Sequence, residues 1–282
     1  MTIAKTLGST TVTELDLSRY VTVAPSTTVS QTVEKMNDAD FSCACVVEGD
    51  KLLGVFTQRD VLLRAIGRPA AWSRPIETEM SRAPRTMRED DSVAAGLAIM
   101  VEWWVRSVPV LGEEEQLAGN LSFYSVMKLI AEALAARIDS RTEPHAEHGL
   151  SFVDFTGLNM SPPVIVGLED PVSHVAHHLG ARGIGSVLVA DARGQLAGVV
   201  TEFDLQTRVG CEHPDPGALK VNQVMSEPVA LSPRSSIADG IRELAAQGHS
   251  NVPLVAESGR PVGVASFRDV AAFIETALDS LG

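Results

Sequence analysis

One short stretch is written four times along this chain, and that repetition restricts the architecture before any local feature is weighed. The clearest copy is Gly54-Val55-Phe56-Thr57-Gln58-Arg59-Asp60. It returns as Gly198-Val199-Val200-Thr201-Glu202-Phe203-Asp204 and as Gly263-Val264-Ala265-Ser266-Phe267-Arg268-Asp269. A weaker copy, Gly119-Asn120-Leu121-Ser122-Phe123-Tyr124-Ser125, ends in serine where the others end in aspartate. Glycines 54 and 119 are 65 residues apart, as are 198 and 263, while 119 and 198 are separated by 79. The copies therefore form two matched pairs joined by an insert.

The hydrophobic pattern around each copy repeats as well. In the first unit, residues 20–23 read as a short strand closed by Pro25, and Ser26-Thr27-Thr28 offer helix N-caps. Val29, Val33 and Met36 follow at helical spacing, then a strand at 43–47, a turn at Glu48-Gly49-Asp50 and a return strand at 52–56. The motif closes that strand and opens a helix with Val61, Leu62 and Ala65 on its apolar side, which Gly67-Arg68-Pro69 stops. Val93, Leu97 and Met100 take the first-helix places in the second unit, Val172, Ala176 and Leu179 in the third, and Ile237, Ile241 and Leu244 in the fourth. First strands are expected at 164–166 and 229–231 in the last two units. From the first of these helix residues to the motif glycine is 25 positions in the first unit and 26 in the other three. The expectation is an α/β protein of four strand-helix-strand-strand-helix units at 18–68, 76–138, 158–209 and 220–275. Residues 1–17 read as a lead-in with a short helix near 12–17, 139–157 as a linker, and 276–282 as a tail. Residues 70–82 and 209–222 read as connections inside each pair.

Thr57 and Asp60 stand where a strand becomes a helix. A hydroxyl at the N-cap with an acid three residues on forms a capping box, and that alone accounts for Thr57/Asp60, Thr201/Asp204 and Ser266/Asp269. The same groups also suit a ligand. A helix start offers free N–H groups and a positive dipole end to a phosphate. The hydroxyl can donate to that phosphate, a carboxylate one turn on can accept from vicinal ribose hydroxyls, and flanking strands supply apolar walls for a base.

The repeated unit, with G-x-x-[TS]-x-x-D after its third strand, resembles the cystathionine-β-synthase (CBS) domain. Met80-Ser81-Arg82-Ala83-Pro84 and Met225-Ser226-Glu227-Pro228 match the family's segment ahead of the second unit of a pair, Met160-Ser161-Pro162-Pro163 echoes it, and Pro109 and Pro253 fall in second strands where the family often has proline. The resemblance implies two Bateman modules, each a pair of CBS units. It implies clefts for adenine nucleotides (AMP, ADP or ATP), adenosine or S-adenosylmethionine, and regulation of a partner. The ligand residues it implies are Thr57, Arg59, Asp60, Thr201, Asp204, Ser266, Arg268 and Asp269, with Thr22, Ile165, Ala230, Val252 and Pro253 on the flanking strands. Ser125 cannot replace a charged double acceptor, so the second unit's ribose site is expected weak or empty. Arg59 and Arg268 beside their aspartates suggest that units one and four suit polyphosphates better than unit three. The two modules are expected to stack within one chain or with a second copy. The alternative is a protein-interaction scaffold with vestigial clefts.

Other features narrow the classes. A formal net charge of −13 disfavours non-specific nucleic-acid binding. No apolar run is long enough to span a bilayer, and no secretory signal is read at the N-terminus, so a cytoplasmic protein is expected. Three cysteines without a CxxC pair suggest neither a disulfide framework nor a zinc knuckle. His174, His177 and His178 share helical spacing but have no acid or cysteine to complete a metal site, so solvent exposure is expected. Trp103 and Trp104 fit either core or an interface, Glu113-Glu114-Glu115 reads as a charged hairpin turn, and His249 as a helix-end residue or a ligand neighbour. No nucleophile elbow, P-loop or dinucleotide fingerprint occurs, so no enzyme is expected and any output acts in trans.

Overall fold

The computed structural model describes residues 3–138, 153–158, 160, 162–210, 212–213, 215–247 and 250–279. The expected linker core at 139–149, Cys211, Ser161 and His249 lie outside them. Helix α1 spans Ile3–Ser9, and a 3-10 turn follows at Val12–Glu14. Unit one contains β1 (Val21–Val23), α2 (Val29–Asp38), β2 (Cys43–Glu48), β3 (Lys51–Thr57) and α3 (Gln58–Asp60), which runs on as a π-helical turn at Val61–Ala65. Unit two brings β4 (Ser81–Arg82), β5 (Met87–Arg88), α4 (Val93–Trp103), β6 (Ser107–Leu111), β7 (Leu117–Ser122) and α5 (Phe123–Ile138). Unit three has β8 (Ile165–Gly167), α6 (Val172–Arg182), β9 (Ser186–Ala190), β10 (Leu196–Thr201) and α7 (Glu202–Arg208). Unit four has α8 (Val221–Val224), α9 (Ile237–Gln247), β11 (Asn251–Val255), β12 (Pro261–Ser266) and α10 (Phe267–Asp279).

The expected grammar is present, with local differences. In units one to three the first strand pairs parallel to the second, and the second antiparallel to the third. In unit four the expected first strand at 229–231 shrinks to one parallel bridge, Leu231 to Leu254. Thr28 caps its helix through its side chain, as the sequence suggested, and Ser92 caps α4 in the same way. On α6 the fully buried side chains are Val172, Val175 and Leu179, with Ala176 only half-buried. Each hairpin carries a bulge beside the residue that faces its motif glycine, namely Val46, Val110, Val189 and Leu254.

At Gly54, Gly119 and Gly198 the crossing partner unit leaves no room for a side chain, whereas at Gly263 it passes at ordinary contact distance. A Cβ on Gly54 would stand 2.6 Å from Met80 Sδ, and one on Gly198 would stand 2.5 Å from Met225 Sδ. A Cβ on Gly119 would meet Leu17 Cβ at 2.6 Å, and one on Gly263 would meet Met160 Cε at 3.6 Å. The segment leading each unit thus packs on the other unit of its pair, in both directions. β4 joins the edge of β3, Ser226 bridges to Val199, and Asn120 N donates to Leu17 O. This reciprocal exchange makes two modules, units one with two and units three with four. It also gives the lead-in a structural role: Ile3, Leu7 and Val12 are buried in the core of unit two. The expected helix near 12–17 is a single 3-10 turn, and α1 lies ahead of it.

Two hydrophobic cores join the modules within the chain. One gathers Val29, Phe56 and Ile76 of the first module with Val172, Leu205 and Val221 of the second. The other gathers Leu97, Met127 and Ile130 with Ile237, Ile241 and Phe267. Unit one therefore stacks on unit three, and unit two on unit four. Each unit is too small to bury its own faces, and burial at roughly 25 cal/mol per Å² favours this stacking.

Candidate functional site

Each motif's hydroxyl and acid are fixed by the strand-to-helix turn itself. Thr57 has extended backbone (φ −122°, ψ 168°), and Asp60 Oδ2 accepts from Thr57 N and Thr57 Oγ1, both at 2.8 Å. Asp204 Oδ2 accepts from Thr201 N and Oγ1 at 2.8 and 2.6 Å, and Asp269 Oδ2 from Ser266 N and Oγ at 2.8 and 2.6 Å. The capping reading is thus physically present in all three. The other carboxylate oxygen meets the partner unit's leading segment: Ser81 Oγ donates to Asp60 Oδ1 at 3.1 Å, and Ser226 Oγ to Asp204 Oδ1 at 2.6 Å. A carboxylate has about four acceptor positions, so each acid keeps capacity for a further hydroxyl. Unit two inverts this arrangement. Ser125 Oγ lies 2.9 Å from Ser122 Oγ and donates to the Asp16 carbonyl at 2.7 Å.

The motifs open into two cavities that are partly open to solvent. The first, of about 320 Å³, combines Thr57 and Asp60 of unit one with Ser266 and Arg268 of unit four, and also with Ser81, Pro84 and Pro109. The second, of about 310 Å³, combines Ser122 of unit two with Thr201 and Asp204 of unit three, and also with Arg19, Phe41 and Tyr124. Both sizes fall at the lower end of small-molecule sites, roughly 300–1,000 Å³. Gln58, Arg106 and Ser250 line both and form part of the wall between them.

Behind that wall lies an ion cluster drawn from three units. Glu202, 1% exposed, accepts from Arg59 Nη1 at 2.6 Å through one oxygen and pairs with Arg106 through the other. Arg59 also donates to the carbonyls of Leu179 (3.0 Å) and Gly180 (3.5 Å) near the end of α6. With its amide oxygen turned to Arg106, Gln58 accepts from both terminal nitrogens at 2.9 and 2.8 Å. Burial opposes ionisation of Glu202, but the charges of Arg106 and Arg59 outweigh it and hold its carboxyl below the usual range. Units two and four meet instead through aromatic rings, Phe123 and Phe267, with centroids 5.1 Å apart.

The CBS domain family model matches residues 12–67, 76–132, 155–210 and 221–276. The chain belongs to the CBS domain family. It is 24% identical over 291 residues to the CBS domain-containing protein CBSCBSPB3 of Arabidopsis thaliana, covering 89% of this chain and 50% of that protein. It is 33% identical over 100 residues to CBSCBSPB1 of the same plant, covering 35% of this chain and 18% of that one. The chain thus spans half or less of the length of these two relatives. Among solved structures, MJ1225 from Methanocaldococcus jannaschii, proposed as an archaeal homologue of γ-AMPK, superposes with a TM-score of 0.79. That match covers 94% of this chain and 100% of the other at 17% identity, so it concerns the fold.

Within this four-CBS frame, Thr57, Arg59 and Asp60 come together with Ser266 and Arg268 in the first cavity, and Thr201 with Asp204 in the second. Asp269, Thr22, Ile165, Ala230, Val252 and Pro253 line neither of these cavities. Thr22 and Ile165 lie exposed on first strands, whereas Val252 and Pro253 are buried. His174 and His177 are exposed, and no group of three or more metal-ligating side chains occurs among the described residues. Trp103 and Trp104 are 45% and 65% exposed, which removes them from the core. Cys43 and Cys45 are buried free thiols on β2. No helix among the described residues is long and apolar enough to cross a membrane.

Sequence reasoning missed Arg106, Glu202 and Leu17. The signals lie in the CBS repeat alignment. Ahead of the second strand the four units carry Ser42, Arg106, Gly185 and Ser250, so Arg106 is the only charge at that position. Leu17-Ser18 stands 12 residues before Val29, as Met225-Ser226 stands 12 before Ile237, which marks it as a fourth copy of the crossing segment.

Proposed function

We propose that this CBS protein is a non-enzymatic regulator that binds adenine nucleotides in its two cavities and acts in trans on a partner protein. The observation that carries the reading is the Thr57–Asp60 pair opening into a cavity lined by arginines. Asp60 offers acceptors for a ribose, Arg85 and Arg268 offer donors for a phosphate, and Val55, Pro84 and Pro109 offer apolar surface for a base. Asp204 supplies the same acceptors in the second cavity, where S-adenosylmethionine is a further adenosyl candidate because fewer arginines surround it. Ligand there would bear on the wall built from units one, two and four, with Glu202 of unit three behind it, which gives binding a route to the packing of the two modules.

Thermal unfolding with adenosine, AMP, ADP, ATP and S-adenosylmethionine tests the reading. A ligand at 100 times its Kd adds about 2.7 kcal/mol by mass action. A melting temperature raised in wild type and less so in Asp60→Ala or Asp204→Ala supports it. Indifference to every ligand would leave a scaffold whose clefts bind nothing.

A further inference from the structure

Unit one departs from the other three at two places on its second strand. Cys43 opens β2 where units two, three and four have Ser107, Ser186 and Asn251. Cys45 stands where they have Pro109, Leu188 and Pro253. Side chains alternate across a strand, so the two thiols share one face. Ala44 and Val46 take the other face and pack into the core with Val29 and Phe56. Cys43 and Cys45 therefore look away from that core, and the Cys43 sulfur meets the Ser107 hydroxyl of unit two.

Cys43 is 2% exposed, yet it lines the second cavity beside Gln58, Arg106 and Ser107. Its neighbours favour the thiolate, which is the nucleophilic form. The Cys45 thiol donates toward the Cys43 sulfur and Ser107 adds a second donor. Together they hold Cys43 below the usual thiol range, against burial and the charge of Asp60. Cys45 is pushed well up by that same hydrogen bond and by burial, so it remains a protonated donor. Alternate residues on a strand have Cα atoms about 6.6–6.8 Å apart, the far end of what a disulfide spans. Cys45 therefore serves Cys43 as a donor and not as a partner in a bridge.

We infer that Cys43 is a thiol modification site facing the second cavity, where a low-molecular-mass disulfide exchanges with it and leaves an adduct in the space a ligand would fill. Cys43 gives up its proton, and its sulfur attacks one sulfur of the small disulfide. The S–S bond of that molecule breaks, a new S–S bond joins Cys43 to half of it, and the departing thiolate takes up the proton. Excess small thiol reverses the exchange. The site itself is independent of the adenine-nucleotide reading; only the competition with ligand rests on it.

Hydroxyethyl disulfide, added to the folded full chain carrying Cys211→Ser, tests this with peptide mass spectrometry as the readout. Cys43 should take the adduct about tenfold or more faster than Cys45, and dithiothreitol should remove it. Cys45→Ala should slow the reaction several-fold, and Cys45→Ser, which keeps a donor, should not. The urea-unfolded chain should label both cysteines at similar rates. Equal labelling of the two in the folded chain, or labelling of Cys43 no faster than global unfolding, overturns the inference. An adenosyl ligand whose binding depends on Asp204 should slow the labelling, and the labelled chain should lose affinity for it. Indifference of each to the other moves the thiol out of the ligand's space and overturns the inference, with the nucleotide reading left standing. Rapid labelling of Cys43 in a chain that binds no adenosyl ligand supports the thiol site and sinks the adenine reading instead.

Discussion

The two cavities are built from the same parts and differ in what surrounds them. The first joins a complete hydroxyl–acid motif to Arg268 of unit four, with four arginines against one aspartate. The second joins the acid-less motif of unit two to Thr201–Asp204, with three arginines against two aspartates. Four near-identical units thus yield two unequal sites, because each cavity is completed by residues of the opposite module. The inequality traces to departures at repeated positions. Arg106 stands where the other units have serine or glycine, and Glu202 stands where they have glutamine or phenylalanine. These two side chains meet, so the features that set the cavities apart also lock the modules together.

Removing the charge of Glu202 should have the largest effect. Glu202→Gln leaves Arg59 and Arg106 facing each other without a counter-ion. Breaking a buried pair costs about 3–5 kcal/mol, and the 30% and 21% exposure of the arginine side chains lowers this to roughly 2–3 kcal/mol. Urea unfolding measures it, and Arg106→Ser in the same background should recover part of the loss; an unchanged midpoint would show the cluster to be inert. The pH dependence follows from the depressed carboxyl pKa of Glu202. Its stabilisation is full above the unfolded carboxylate pKa and is lost as pH falls through the lower folded value. Wild type should therefore lose stability faster than Glu202→Gln on acidification below about pH 4.5.

Next come the acids. Asp60→Asn and Asp204→Asn should each weaken ligand at their own cavity by roughly 1.5–3 kcal/mol, about tenfold or more in Kd. Preference for ATP over AMP should fall in the first variant and persist in the second. Equal loss in both would show that the cavities do not differ in the way their arginines imply.

Much of this fold was legible because its signals are repeated. The motif glycines, the 26-residue spacing and the capping hydroxyls need only local chemistry, and four copies remove the ambiguity of each. The crossing segments were partly hidden. Leu17 fills the place of Met80 and Met225 but lacks their Met-Ser signature, so residues 1–17 read as a lead-in although they complete unit two. The cavity linings were less legible again. Arg59 looked like a phosphate ligand from its place beside Asp60, and only the stacking of unit one on unit three turns it toward Glu202. Val252 and Pro253 were expected near a ligand, yet the pairing of β11 with β12 and the packing of unit four bury them. Contacts across modules leave no periodic trace in a sequence, whereas caps and hairpins do.

Unit two offers a test of whether its missing acid alone disables it. Ser125→Asp would restore the motif in sequence. In the structure Ser125 donates to the Asp16 carbonyl, where the acids of units one and three accept from serines. A carboxylate placed there faces an acceptor, so the variant should lose about 1–3 kcal/mol rather than gain a ligand. A gain in nucleotide affinity at the second cavity, seen by calorimetry, would show that the crossing segment can rearrange.

The smallest effects should separate the motif glycines by what crosses them. Gly54→Ala places a Cβ 2.6 Å from Met80 Sδ and 2.7 Å from the Ser81 carbonyl, and the carbonyl cannot move without shifting the serine that holds Asp60. Overpacking of this kind costs about 1–3 kcal/mol and should also weaken ligand in the first cavity. Gly198→Ala meets Met225 Sδ at 2.5 Å and no backbone among its three nearest atoms, so a flexible side chain can absorb part of the strain. Gly263→Ala meets Leu254 Cδ1 at 3.4 Å and Met160 Cε at 3.6 Å, both ordinary contacts, and should change stability by no more than about 0.5 kcal/mol. The order Gly54, Gly198, Gly263 in denaturant midpoints follows from the crossing segments alone. Equal losses at all three would mean that the glycines serve the hairpin bulges and not the crossings.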